Sequence, residues 1–165
     1  MTTNHTNPAD RAKKGLNIRL WWARCEGTRV GRWLFSVIVG LGARYTGSIG
    51  ARVQSVDDGG SVVTMRDRPK VRNHLKSVHA IALMNLGELS TGLATLFKLG
   101  HRGRGIIKGL RMEYTKKARG TITAHCSAEV PETAGQHDVT VEGILTDAQG
   151  DEVARCFATW RIEVY

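Results

Sequence analysis

The chain has 165 residues, a net charge of +9 and three cysteines. That length suits one domain with a fair-sized core. Cys25, Cys126 and Cys156 are odd in number and form no CxxC pair, so they fit neither a disulfide framework nor a zinc site and point to a reducing compartment. The charge suits a polyanionic partner (nucleic acid, an anionic membrane surface or a phosphorylated cofactor) as well as it suits a basic surface that only aids solubility.

Residues 1–15 are polar and basic, carry no apolar signal-peptide core, and are expected to form a poorly ordered tail ahead of a single domain over 16–165. A helical N-terminal extension is predicted over 16–42. Its first helix, 16–25, takes its apolar content from Leu16, Ile18, Leu20, Trp21 and Trp22. Gly27 breaks it, and a second helix over 30–41 ends at Gly40 and Gly42. Tryptophan beside arginine suits docking on a membrane, but packing against the protein's own core is preferred, and membrane contact by these helices is not expected. The apolar stretch 33–41 is too short to span a bilayer, and the working assumption is a cytoplasmic protein.

After Gly47 the apolar period changes to two. Ile49, Ala51 and Val53 alternate with polar neighbours, the run Asp57-Asp58-Gly59-Gly60 signals a turn, and 61–66 forms a second strand, so 49–66 reads as a hairpin. The segment 72–97 then reads as a polar loop followed by one long helix that starts near Ser77 or Val78, with Ser77 as N-cap. A helical wheel puts Ala82, Leu83, Leu86, Leu89, Leu93, Leu96 and Phe97 on one face. Ile81, Met84, Asn85, Glu88, Thr91, Gly92 and Thr95 fall on the other. Glu88 is the single acid of this helix, on a face too apolar for a solvated surface, where a carboxylate needs an arranged partner.

Residues 100–105 (GHRGRG) read as a flexible basic loop, and four strands follow. Leu110, Met112 and Tyr114 alternate in the first; Ile122, Ala124, Cys126 and Ala128 in the second; Val139, Val141, Gly143 and Leu145 in the third. The last alternates Ala154, Cys156, Ala158, Trp160, Ile162 and Val164. Short turns between strands favour an antiparallel sheet with one polar face. Such a sheet can cover the leucine face of the helix but is not expected to cover the Glu88 face as well. A second copy of the chain is the economical cover, so an obligate homodimer, or a dimer of dimers, is expected.

One helix wrapped by about six antiparallel strands resembles the α+β hotdog fold. Asn73, His79 and Glu88 stand at a spacing similar to the Asn/Gln…His-Gly-Gly…Asp/Glu pattern of hotdog acyl-CoA thioesterases. The string Arg72-Asn73-His74…Ser77-Val78-His79-Ala80…Asn85-Leu86…Glu88 resembles a bacterial hotdog family known mainly as a domain of unknown function. The resemblance covers roughly residues 32–165. It implies hydrolysis of an acyl-CoA or acyl-carrier-protein thioester, with no cofactor beyond coenzyme A as part of the substrate. By the family pattern the Ala80 N–H faces the thioester oxygen, the Asn73 side chain is a second donor or a positioner, and His79 orients the loop or the water. Glu88 acts as general base or attacking carboxylate at the protomer boundary.

Each residue has a structural alternative. Glu88 can be an acid salt-bridged across a dimer, Asn73 a turn residue, and His79 structural; Asn85 can hydrogen-bond Glu88 from one turn away. Substrate binding is assigned to His74 and Asn85, with the cations Arg72, Lys76, Lys108 and Arg111 for the nucleotide phosphates. Arg68, Lys70, Lys116, Lys117 and Arg119 belong to the same pool, which a solvated basic sheet edge explains equally well.

The chain departs from the thioesterase pattern where Ala80 and Ile81 replace two glycines, and 106–108 offers no hydroxyl where some relatives carry an assisting serine or threonine. Two other readings therefore stand beside hydrolysis. One is a non-catalytic acyl-CoA or lipid-binding protein. The other is an acyl-thioester dehydratase or hydratase using His74 and Glu88, which lacks the proline-glycine signatures of that class. No metal-ligand cluster and no nucleic-acid motif is found.

Overall fold

A computed structural model describes residues 17–165; the tail expected over 1–15 lies outside the described residues. Three helices come first: α1 (Ile18–Cys25), α2 (Arg29–Gly42) and the single turn α3 (Arg44–Gly47). Asn17 and Thr28 cap the first two, their side-chain oxygens accepting the N–H groups of Leu20 and Gly31. Trp22 of α1 meets the Phe35 ring of α2 edge-on at 5.0 Å, and both are buried. Trp21 and Trp33 stay exposed.

The hairpin β1 (Arg52–Asp57) and β2 (Gly60–Met65) follows, then the helix α4 (Ala80–Leu99), then β3 (Gly103–Tyr114), β4 (Ile122–Cys126), β5 (Gly135–Thr146) and β6 (Glu152–Val164). The six strands form one sheet in the order β1-β2-β4-β5-β6-β3, antiparallel at every pair. Its inner residues, among them Met65, Ile122, Leu145 and Ile162, are buried in the same core as Leu83, Leu86 and Leu93 of α4. This is the hotdog architecture that the sequence resemblance implied. Among the described helices α4 is long and apolar enough to cross a membrane, but 67% of that window is buried inside the fold, which makes it the core helix.

Three expectations are corrected. The helix begins at Ala80 with His79 as N-cap, not at Ser77. The backbone of 77–79 is held away from helical geometry: Val78 N–H bonds the Ala118 carbonyl, His79 N–H bonds the Val71 carbonyl, and buried Ser77 donates its hydroxyl to Asn73. The loop expected over 100–105 is one 3-10 turn, Gly100–Arg102, and β3 is already paired with β6 at Gly103. A side chain at Gly103 would collide with the Glu163 carbonyl, so glycine here serves close strand packing rather than flexibility.

The third correction concerns the second face of α4, which one chain covers to a large extent. Gly92, Thr91 and Thr95 are buried, the last two completely. The helix approaches the sheet through its small residues: a Cβ placed on Gly87 would lie 2.7 Å from the Cys156 Cβ, and one on Gly92 would lie 3.1 Å from the Trp160 ring. What stays open is the stripe Ile81, Met84 and Glu88 on the first half of the helix, with Ile81 exposed and the other two half-buried.

The two sheet edges differ. At β1 the Ser36 hydroxyl of α2 accepts the Val53 N–H at 2.9 Å, so α2 covers the start of that edge. β3 carries no such cover among the described residues, and its Ile106 is 66% exposed. Gly87→Ala is expected to destabilise the fold by about 1–3 kcal/mol through overpacking against Cys156, despite alanine's better helix propensity; the midpoint of urea unfolding reads this directly.

Candidate active site

The start of α4 has four N–H groups, those of residues 79 to 82, outside the regular intrahelical ladder by construction, and three of them are taken. The His79 N–H donates to the Val71 carbonyl, the His79 ring Nδ1 accepts the Ile81 N–H at 3.1 Å, and the His79 carbonyl accepts that of Ala82 at 2.9 Å. The Ala80 N–H alone has no partner among the described residues, so one donor remains at the positive end of the helix dipole. With Nδ1 accepting, the neutral His79 ring carries its proton on Nε2.

Asn73 organises the turn ahead of the helix. Its Oδ1 accepts from the Leu75 N–H at 2.9 Å, the Ser77 N–H at 3.2 Å and the Ser77 hydroxyl at 3.1 Å. Those three donors orient the amide and leave Nδ2 as its free donor. The same turn holds Lys76 at a φ of 54°, a conformation that bulky residues seldom adopt. His74 and Lys76 are exposed in it, with no polar partner among the described residues.

Glu88 sits half-buried two turns into α4 without an ion pair or side-chain hydrogen bond among the described residues. Asn85 is not its partner: its Nδ2 donates to the Tyr45 carbonyl at 3.3 Å, and its buried Oδ1 has no partner. The expectation of an Asn85–Glu88 hydrogen bond is therefore corrected, because Asn85 points toward α3. Glu88 instead lies near the Cys156 thiol. Burial first, and the Glu88 charge second, push that thiol up to about 11; it stays protonated and is no nucleophile at neutral pH.

Sequence reasoning missed Tyr114. At the end of β3 its hydroxyl donates to the Ala80 carbonyl at 3.1 Å, and burial, then the nearby Cys156 thiol, raise its pKa above the ordinary phenol value, so the hydroxyl stays protonated. Its strand phase, shared with Leu110 and Met112, was the available signal; which end of the helix it would reach depends on β3 pairing with β6 rather than β4.

A cleft of about 320 Å³ beside the helix start brings Arg72, His79 and Asn85 together with Tyr45, Lys70 and Ile81. Glu88 is outside it. Three of the four assigned cations are held in ion pairs, Lys76 being the exception among the described residues. Arg72 pairs with Asp67 at 2.6 Å, and that guanidinium holds the Asp67 carboxyl below the usual carboxylate range. Lys108 pairs with Asp138 at 2.6 Å, and Arg111 pairs with Glu113 while stacking over the Phe157 ring.

The sheet order and the central helix define a hotdog-fold protein, and solved structures agree on the fold. The chain is similar to a structural-genomics protein at 25% identity over 92% of this chain and 100% of the other, with a TM-score of 0.77. It is also similar to a Pseudomonas aeruginosa protein of unknown function described as a probable thioesterase, at 24% identity over 79% and 93% of the two chains (TM-score 0.72). A Haemophilus influenzae thioesterase matches at 12% identity over 73% and 82% (TM-score 0.64). Within the hotdog class the chain belongs to the DUF4442 family, a domain of unknown function, whose profile matches residues 31–162. No curated protein matches the chain.

All three cysteines are buried and unpaired, and burial raises Cys126 to about 12 and Cys156 to about 11. Folding thus favours the neutral thiols. Their contribution to stability is complete below pH 9.0, the ordinary thiol value, and is lost as pH rises toward the folded values. Urea unfolding followed from pH 8 upward is expected to show stability falling above about pH 9, with a shallower fall in Cys126→Ala/Cys156→Ala.

Proposed function

We propose that the protein hydrolyses acyl thioesters and builds each site from two protomers. The observation that carries this is a separation. Ala80 and Glu88 are eight residues apart on one straight helix, about 12 Å along its axis. A thioester carbonyl must sit about 3 Å from its oxyanion donor while the base or nucleophile reaches its carbon. One chain's Ala80 and Glu88 cannot meet both demands. The Ala80 N–H of one protomer and the Glu88 of its partner can, if two helices lie side by side across an interface. The uncovered Ile81, Met84 and Glu88 stripe and the open β3 edge with exposed Ile106 support such an interface, and proteins of the same fold named as thioesterases support the reaction class.

In this reading the Ala80 N–H and Asn73 Nδ2 stabilise charge on the carbonyl oxygen. As a base, Glu88 takes a proton from water as the water oxygen attacks the carbonyl carbon; the carbon–sulfur bond then breaks, and the departing thiolate of coenzyme A or an acyl carrier protein takes up that proton. As a nucleophile, the Glu88 carboxylate attacks the carbon itself, the carbon–sulfur bond breaks to leave an acyl-glutamyl anhydride, and water then hydrolyses the anhydride, releasing the acid, restoring the carboxylate and supplying the proton that the thiolate takes up. Tyr114 steadies the first helical turn through the Ala80 carbonyl. A non-catalytic acyl-thioester binder is the second reading, favoured by the Ile81 N–H being committed to His79 where the thioesterase pattern has a second glycine.

An acyl-CoA hydrolysis panel tests the proposal. Glu88→Gln is expected to lower kcat by at least about a hundredfold; wild-type protein that binds acyl-CoA without turnover moves the assignment to the binder. A mixing experiment tests the composite site. Ala80→Pro deletes one N–H at the first helical position, where proline is tolerated, and His79 already has the extended backbone that precedes proline (φ −67°, ψ 139°). Equal mixing of Ala80→Pro with Glu88→Gln protomers is expected to restore about a quarter of wild-type activity, since half of randomly formed dimers are mixed and each carries one intact site. No recovery after verified subunit exchange, or a monomer at micromolar concentration, rules the two-protomer site out.

A further inference from the structure

The outer face of α2 is apolar where a surface helix should be polar. Val30, Trp33, Leu34, Val37 and Leu41 recur at three- and four-residue spacing along one stripe. Val30 is 72% exposed, Trp33 46%, Leu34 45% and Leu41 71%. The inward face is occupied separately by buried Phe35 and Ser36, so the stripe is not the part of α2 that holds the fold together.

Cations border this stripe without counter-charges. A cleft of about 530 Å³ is lined by Val37 and Leu41 together with Arg44, Arg52, Arg68 and Lys70, and no acid lines it. A second, of about 570 Å³, shares Arg52 and Arg68 and brings Trp33 against Arg29, Arg32 and Arg66. Its one acid, Asp67, is already held by Arg72. The Arg52 guanidinium lies over the Trp33 ring at 5.7 Å from its centroid. None of the cations in the two clefts is in an ion pair among the described residues, whereas Lys98, Arg104, Lys108, Arg111, Arg155 and Arg161 on the far part of the chain all are.

From this juxtaposition we infer that α2 is a docking helix for an anionic phospholipid surface. The stripe would lie at the boundary of headgroups and acyl chains, with the surrounding arginines on the phosphates. An apolar helical face edged with arginine and tryptophan is the pattern of an interfacial helix, and clustered cations add attraction to anionic lipid. A second copy of the chain fits this face poorly, because a two-fold contact places a patch against itself and would set these arginines against their own copies. The expectation from sequence that the N-terminal helices make no membrane contact rested on their packing inward. Trp22 and Phe35 do pack inward, but the stripe faces out. The inference is independent of the thioester reading.

Full-length protein is mixed with phosphatidylcholine vesicles containing 30% phosphatidylglycerol, or none, and sedimented at about 0.1 M salt. Binding to the anionic vesicles is expected to exceed binding to the neutral ones by at least about tenfold, and to weaken as salt is raised. Leu34→Asn/Leu41→Asn, at exposed positions, is expected to lose at least about tenfold, and Arg52→Gln or Arg68→Gln about fivefold each. In wild-type protein, brominated lipids should quench tryptophan emission, and Trp33→Phe should remove most of that quenching, which tests the face without an asparagine variant. Equal, weak retention on both vesicles overturns the inference. So does anionic binding that the asparagine pair leaves unchanged, or a fall of that pair to a smaller species on sizing, which would place the stripe between copies of the chain.

Discussion

The structure depends on how closely α4 approaches the sheet. Gly87 lies where any Cβ would touch Cys156, and Gly92 where one would touch the Trp160 ring. Two missing side chains let a twenty-residue helix sink into the curve of six strands, and that depth sets what remains visible. The second half of the stripe through Glu88, at Gly92 and Thr95, vanishes beneath the sheet, while its first half stays open. A shallower helix would expose the whole stripe. A deeper one would bury Glu88 in a core that offers no counter-charge among the described residues.

The same packing governs the chemistry of the cysteines. Cys156 is small enough to face Gly87, and the burial that makes it a good neighbour also keeps its thiol neutral. A carboxylate, a thiol and a phenol thus gather near the first turns of α4, and burial keeps the thiol and the phenol neutral near neutral pH. The nearby His79 ring is spent in part on its own helix cap.

Much of the fold was legible in the residues. Period-two alternation marked five of the six strands, the Asp57 to Gly60 turn marked the hairpin and with it the second strand, and the leucine spacing marked α4. Two kinds of feature were not legible. Local signals lost to tertiary pairing at the helix start: Ser77 is a good cap by type, but the bridge between Arg72 and Val78 and the Val78 bond to Ala118 keep 77–79 extended. Gly103 reads as part of a flexible loop and Gly87 is not singled out, because a sequence does not say what lies opposite: at Gly103 it is a neighbouring strand's carbonyl, and at Gly87 a side chain of β6. The spacing of Asn73, His79 and Glu88 located the candidate site, while Tyr114 entered it only through the non-sequential pairing of β3 with β6.

The Ser36 hydroxyl that caps the Val53 N–H has a bearing on stoichiometry. A sheet with two open edges can add strands at both ends, and such growth has no natural stop. Here α2 covers the start of the β1 edge, and among the described residues β3 is left open to accept a neighbour. Two chains joined through β3 would each cover that vacancy, and any growth of the ladder at the β1 end would first have to displace α2.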